Sequence, residues 1–263
     1  MIEFPNVTES SHLNEQPNTV SDSPQAEAPV KKPLPWYVEI PLVVVLTFAA
    51  IFMVHTFVGR IYVIPSASME PTLHGCSGCT GDRIVVQKVS YYFNDPKPGE
   101  VIVFEGTPSW NTGFVSSRSE NPAVRGVQNL FSFIGLLAPD ENDLVKRVIA
   151  TGGQTVSCLP GDPAVMVDGV ATDQSFVQQP AVYPVDPSIG SEACGGPYFG
   201  PLTVPEDHLF MMGDNRTNSL DSRYHTGDPS QGTIPLENVR GRVEAKFWPL
   251  NRIGRVEAKD LQN

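Results

Sequence analysis

Three stretches of the 263-residue chain carry side chains whose types suit chemistry on one another. In Ile64-Pro65-Ser66-Ala67-Ser68-Met69-Glu70-Pro71-Thr72-Leu73, two prolines bracket two serines and hold that backbone extended or turned. Val145-Lys146-Arg147-Val148-Ile149 sets a lysine inside an apolar strand pattern. Met212-Gly213-Asp214-Asn215-Arg216-Thr217-Asn218-Ser219-Leu220-Asp221-Ser222-Arg223 is a polar loop. Taken singly, these read as a rigid loop, a strand edge with outward charges and a hydrogen-bonded surface turn. Taken together, they offer serine hydroxyls that could act as nucleophiles and a lysine that could act as a base. A serine hydroxyl needs a base, and lysine serves only when neutral. Its free pKa is about 10.4, so action near pH 7–8 demands roughly 3–4 kcal/mol from its surroundings. Desolvation by Leu144, Val145, Val148, Ile149 and Met69 is the expected source. A carboxylate placed directly on Lys146 would keep it charged, so Asp214 and Asp221 are expected to pair with arginines. The rival Ser-His-Asp arrangement has little to draw on: His12 and His55 lie in the tail and in an apolar run, and His74, His208 and His225 sit in no triad motif.

These groups need positioning, and the chain divides accordingly. Residues 1–35 are acidic, rich in proline and without apolar period, and are expected to form a disordered tail. Ile40–Val58 is a 19-residue apolar run of roughly 28 Å as a helix, enough to cross a hydrocarbon core. Trp36, Tyr37 and Tyr62 suit the interfaces, and Pro41 is placed in the first turn, where its missing N–H does no harm. The run is too long for a cleaved signal and its leader is acidic, which favours an uncleaved anchor over residues 36–59. Lys31 and Lys32 before the run, against Arg60 after it, put the N-terminus in the cytoplasm and residues 60–263 outside. Cys76, Cys79, Cys158 and Cys194 all follow the anchor, and an even count in an exported region is disulfide-capable with three connectivities. Cys76-Ser77-Gly78-Cys79 leaves a redox pair or half a zinc site open as well. With 18 Lys and Arg against 29 Asp and Glu, the balance excludes a nucleic-acid binder.

Beyond Arg60 the pattern is of short β-branched runs. Strands are expected at Arg83–Lys88, Glu100–Phe104, Leu144–Ala150, Val165–Val167, His208–Met212 and Val239–Phe247, with a hairpin turn at Asp168-Gly169. No helical period alternates with them, which argues against a parallel βαβ sheet. Val127–Ala138 is expected to be a core segment or, more in keeping with its loop-like flanks, a surface dipping into the bilayer.

The anchor, Ser-x-Ser-Met-x-Pro-Thr-Leu, the strand at Gly99–Phe104, the Lys-Arg strand and the Gly-Asp-Asn-Arg…Asn-Ser-x-Asp-Ser-Arg loop occur in one order over residues 36–250. In this the chain resembles the bacterial type I signal peptidases, or leader peptidases. With one anchor, and with unmatched stretches at Gly75–Cys79 and 105–143, it looks more like actinobacterial than Gram-negative members. The resemblance implies a mainly β fold: a transmembrane helix, then an antiparallel β-rich catalytic domain with an inserted β subdomain at about 156–204. It implies that Ser68 is the nucleophile and Lys146 the general base. Ser66 and the Ser68 backbone N–H would donate to the oxyanion, and Ser219 would orient the lysine. Asp221, Arg223, Asp214, Arg216 and Arg147 would buttress the site. The implied reaction is removal of signal peptides from preproteins through an acyl-enzyme, after small-x-small motifs, with no metal or other cofactor. The implied partners are preproteins, the lipid bilayer and the export machinery.

Overall fold

The computed structural model describes residues 35–54, 59–76, 79, 81–110, 116, 118–133 and 143–262. The expected disordered tail and residues 55–58 of the apolar run therefore lie outside the described residues, apart from Pro35.

The apolar run forms helix α1, Trp36–Met53, with no buried residue. Its 18 residues are long and apolar enough to cross a bilayer. It starts earlier than the apolar pattern because the Pro35 carbonyl accepts the Val38 and Glu39 N–H groups, at 2.8 and 3.0 Å. Glu39 then lies in the first turn, at the positive end of the helix dipole. The early start corrects the placing of Pro41: it sits inside the helix, beyond the first turn, and the Tyr37 carbonyl loses its i+4 donor.

The rest of the described chain is dominated by strands. In chain order they are β1 (Gly59–Val63), β2 (Arg83–Gln87), β3 (Val101–Glu105), β4 (Asp143–Thr151), β5 (Thr155–Cys158), β6 (Met166–Val167) and β7 (Val170–Ala171). There follow β8 (Gly190–Ser191), β9 (Gly196–Pro197), β10 (Phe199–Thr203), β11 (His208–Met212), β12 (Ile234–Pro235), β13 (Val239–Trp248) and β14 (Gly254–Arg255). Every pairing is antiparallel. The main sheet runs β1-β2-β13-β3-β4-β11-β12, with β14 on β13. Between β4 and β11 in sequence lie two smaller sheets, β10-β5-β6-β7 and the pair β8-β9. Asp168 and Gly169 turn β6 into β7 with φ of 51° and 78°, the left-handed conformation that a two-residue hairpin needs.

β3 is apolar from Val101 to Phe104 because both its faces are covered there. Val101 and Val103 pack with Tyr62, Ile64, Met69, Leu73 and Val243, while Ile102 and Phe104 pack with Trp110, Val148 and Met211. A third cluster joins Ile149, Phe210 and Met212 of the main sheet to Val156, Val167 and Phe199 of the smaller one. The buried Cys158–Cys194 disulfide lies in this cluster and closes a loop worth about 4 kcal/mol in chain entropy.

Of the two alternatives for Val127–Ala138, the described residues speak against the core one, and 134–138 lie outside the described residues. The described part of the segment belongs to helix α2, Pro122–Phe133, which begins upstream. Asn121 caps it by accepting the Ala123 N–H on Oδ1 at 3.0 Å, and Pro122 occupies the first helical position. Val124, Val127, Leu130 and Phe131 are exposed, so this stretch of the segment is not core.

Candidate active site

β1 delivers the two serines. After Val63 the chain stays extended, with the Ile64 N–H donating to Asp82 O at 2.9 Å, and then tightens into a single 3-10 turn at Ala67–Met69. The turn is pinned from below by Met69 and Leu73, both buried, and the Leu73 N–H donates to the Met69 carbonyl at 2.8 Å. Ser68 is thereby held half-buried on a short turn, with Ser66 on the extended arm before it. Their hydroxyl oxygens are 3.3 Å apart.

β4 delivers the lysine, paired opposite Ile102 of β3. Lys146 Nζ donates to Ser68 Oγ at 2.7 Å across 78 residues of sequence. Lys146 is buried, and burial lowers its pKa from 10.5 to about 8. The field of Asp221 acts the other way, while Arg223 acts with burial. Each carboxylate is engaged by an arginine. Arg147 Nε and Nη2 grip Asp214 at 2.8 and 2.6 Å, and Arg223 Nε and Nη2 grip Asp221 at 2.8 Å each. Burial alone would raise Asp221, but Arg223 and the Gly213 N–H hold its carboxyl below the usual range. Both pairs are fully buried, where bidentate geometry compensates the lost hydration.

The arginines also fasten neighbouring backbone. Arg147 Nη1 donates to Gly99 O at 2.6 Å, and Arg223 donates to Gly195 O and Arg216 O at 2.7 Å each. Arg216 Nε donates to Gly213 O at 3.1 Å. Ser219 is buried near Ser68, but its hydroxyl has no hydrogen-bond partner among the described residues. Gly213 explains its place: a methyl there would lie 2.3 Å from Ser219 Oγ and 2.4 Å from the Ser68 carbonyl oxygen. Only glycine lets the loop lie this close to the Ser68 turn.

Two contributors escaped the sequence reading. Asn215 donates from its backbone N–H to Ser68 O at 3.1 Å and from Nδ2 to Ala67 O at 3.0 Å, fixing the turn from the opposite side. Thr72 donates to Asp214 Oδ2 at 2.6 Å, tying the serine segment to the Arg147–Asp214 pair. Both lie inside the quoted motifs, and an uncharged side chain embedded in a polar loop was the available signal. The three described histidines are occupied elsewhere: His74 meets Glu70, His208 meets the Glu206 carbonyl, and His225 stacks on Trp110 and meets Asp228.

A cleft of about 320 Å³ opens beside Ser68 and Lys146 between two extended walls, residues 62–66 and 143–146. On β4, pairing with β11 begins only at Arg147, so Leu144–Lys146 line the cleft beyond the end of that pairing. Cys76–Cys79 forms a second disulfide a few residues beyond Leu73.

The model of the family described as "Signal peptidase, peptidase S26" matches residues 37–248. Signal peptidase I of Mycobacterium tuberculosis (strain H37Rv) is 52% identical over 229 residues, covering 85% of this chain and 76% of its own. The probable signal peptidase I of Mycobacterium leprae is 48% identical over 246 residues, covering 89% and 83%. Signal peptidase I of Leptolyngbya laminosa is 31% identical over 234 residues, covering 89% and 87%. On the family match and on this likeness over most of both chains, the protein belongs to the signal peptidase family, peptidase S26.

Proposed function

We propose that the protein removes signal peptides from exported preproteins with a Ser68–Lys146 dyad working through an acyl-enzyme. The observation that carries this reading is the 2.7 Å contact between Lys146 Nζ and Ser68 Oγ inside a buried, apolar setting. Neutral Lys146 takes the Ser68 proton as Oγ attacks the scissile carbonyl carbon, and the resulting oxyanion is met by the Ser66 hydroxyl and the Ser68 N–H. When the C–N bond breaks, the Lys146 ammonium gives its proton to the leaving amine. A water then loses its proton to Lys146, attacks the ester, and returns Ser68 as the hydroxyl. The buried arginine–carboxylate pairs serve as a rigid backing that leaves the lysine free of a direct carboxylate partner.

The cleft supports the substrate reading. An extended peptide fits as an added strand along Asp143–Lys146, with small side chains at the first and third positions before the cleaved bond. The helix α1 acts as a single-pass anchor with the N-terminus cytoplasmic and residues 60–263 outside, where preproteins emerge from the export machinery. Cleavage of a preprotein by the full chain in detergent micelles tests the assignment. Wild type yields mature protein, whereas Ser68→Ala and Lys146→Arg yield none, because a guanidinium does not release its proton. Residual turnover in Lys146→Arg overturns the lysine as base.

A further inference from the structure

The Cys76–Cys79 loop is not used by the mechanism above, yet it leans on it. Gly75 and Gly81 flank the disulfide, and both lie against the same carbonyl on the cleft wall. A methyl on Gly81 would lie 2.1 Å from Ile64 O; one on Gly75 would lie 2.5 Å from Ile64 O and 2.8 Å from both Ser66 N and Ser66 O. The backbone around Ser66 is thus buttressed by the two glycines that lie on either side of the disulfide. The base of the loop is held independently, since His74 N donates to Asp82 Oδ2 and Asp82 N to His74 O, each at 2.8 Å. His74 and Asp82 are thus joined by bonds that do not involve the disulfide.

The two disulfides differ in access. Cys158 and Cys194 are buried in a core cluster, whereas Cys79 is exposed. A ring nitrogen of His74 lies within 4.8 Å of both sulfurs of the Cys76–Cys79 bridge, and His74 is itself in contact with Glu70. An adjacent imidazole is the group that stabilises an attacking or leaving thiolate.

From this geometry we infer that Cys76–Cys79 is a thiol–disulfide exchange site for a dithiol partner, and that its redox state sets the position of Ser66 and hence the turnover rate. In the exchange the partner's two S–H groups become one S–S bond, and the Cys76–Cys79 bond becomes two thiols; two electrons and two protons move to the peptidase. The oxidised form holds Ser66 in place and is the fast one. The inference rests on the reading of Ser66 as an oxyanion donor.

The test uses the full chain in detergent micelles, a preprotein substrate and dithiothreitol as the dithiol. Iodoacetamide trapping and peptide mass mapping identify which cysteines have opened. With only Cys76 and Cys79 alkylated, kcat falls about tenfold and KM stays nearly constant, a part of the roughly 10²–10³ that a full oxyanion donor contributes. Reoxidation before trapping restores the rate. The Cys76→Ser/Cys79→Ser variant is slow from the start and indifferent to dithiol. Ser66→Ala is slow and equally indifferent, because the loop acts through a hydroxyl already removed. A wild type with Cys76 and Cys79 alkylated that keeps its full kcat overturns the exchange site, as does a dithiol effect that persists in the double-serine variant. Full activity in Ser66→Ala overturns the oxyanion reading beneath it, while a large Ser66→Ala loss beside an unresponsive wild type removes the exchange site alone.

Discussion

Replacing Lys146 by methionine removes the proposed base and should make the fold more stable. Lys146 is buried, and burial takes its pKa from 10.5 to about 8. An unfolded chain keeps the ordinary value, so between pH 8 and 10.5 the unfolded state binds the extra proton and stability rises with pH across that window. Below pH 8 the penalty is present in full and amounts to about 3 kcal/mol, from the free energy of a tenfold change in proton affinity. Methionine has similar length and no charge to desolvate. Ser68 Oγ loses one partner but is half-buried and has Ser66 Oγ at 3.3 Å. The expected net gain at pH 7 is about 2 kcal/mol, or roughly 4–8 °C in Tm for a domain of this size. Thermal unfolding in micelles, followed through the buried Trp110, measures it at pH 7 and at the highest pH the fold tolerates. The Met–Lys difference should shrink as pH rises above 8. A Lys146→Met protein that is less stable at pH 7, with a difference independent of pH, refutes the neutralised lysine.

Two further outcomes follow from the same site. kcat/KM should rise tenfold per pH unit below a midpoint near 8 and then level off, because the neutral fraction of Lys146 limits the attack; a plateau already reached at pH 6 would contradict it. Asp214→Ala leaves Arg147 charged, fully buried and unmatched, and should cost about 3–5 kcal/mol in a denaturant titration, whereas replacing both by apolar residues of similar volume should recover most of that. A loss under about 1 kcal/mol in the single variant would show that water reaches the arginine.

Much of the strand framework was readable in the sequence because alternation and turn residues are local signals. Asp168-Gly169 turned where its residue types said it would, and the apolar runs around 83–87, 101–105 and 208–212 became β2, β3 and β11. Helix α2 begins at Asn121-Pro122, a helix-start signal, upstream of the apolar stretch at Val127, so its cap and its apolar pattern do not coincide in the sequence. Pro41 falls beyond the first turn for a related reason: the apolar pattern marks where lipid is favourable, not where the first backbone carbonyl captures a donor.

The sequence by itself determined the family, the order of the motifs and the identity of the serine, lysine, arginine and carboxylate groups. Only the tertiary structure decided what those groups do to one another. Ser68 and Lys146 are 78 residues apart and meet because β3 pairs with β4 while β1 reaches the same sheet through β2 and β13. Which arginine holds which carboxylate, why Gly213 must be bare, and that Asn215 and Thr72 brace the segment around Ser68 are likewise facts of three-dimensional contact. The physical reason is that hydrogen-bond geometry and desolvation depend on what surrounds an atom from every side, and chain neighbours supply only part of that surrounding.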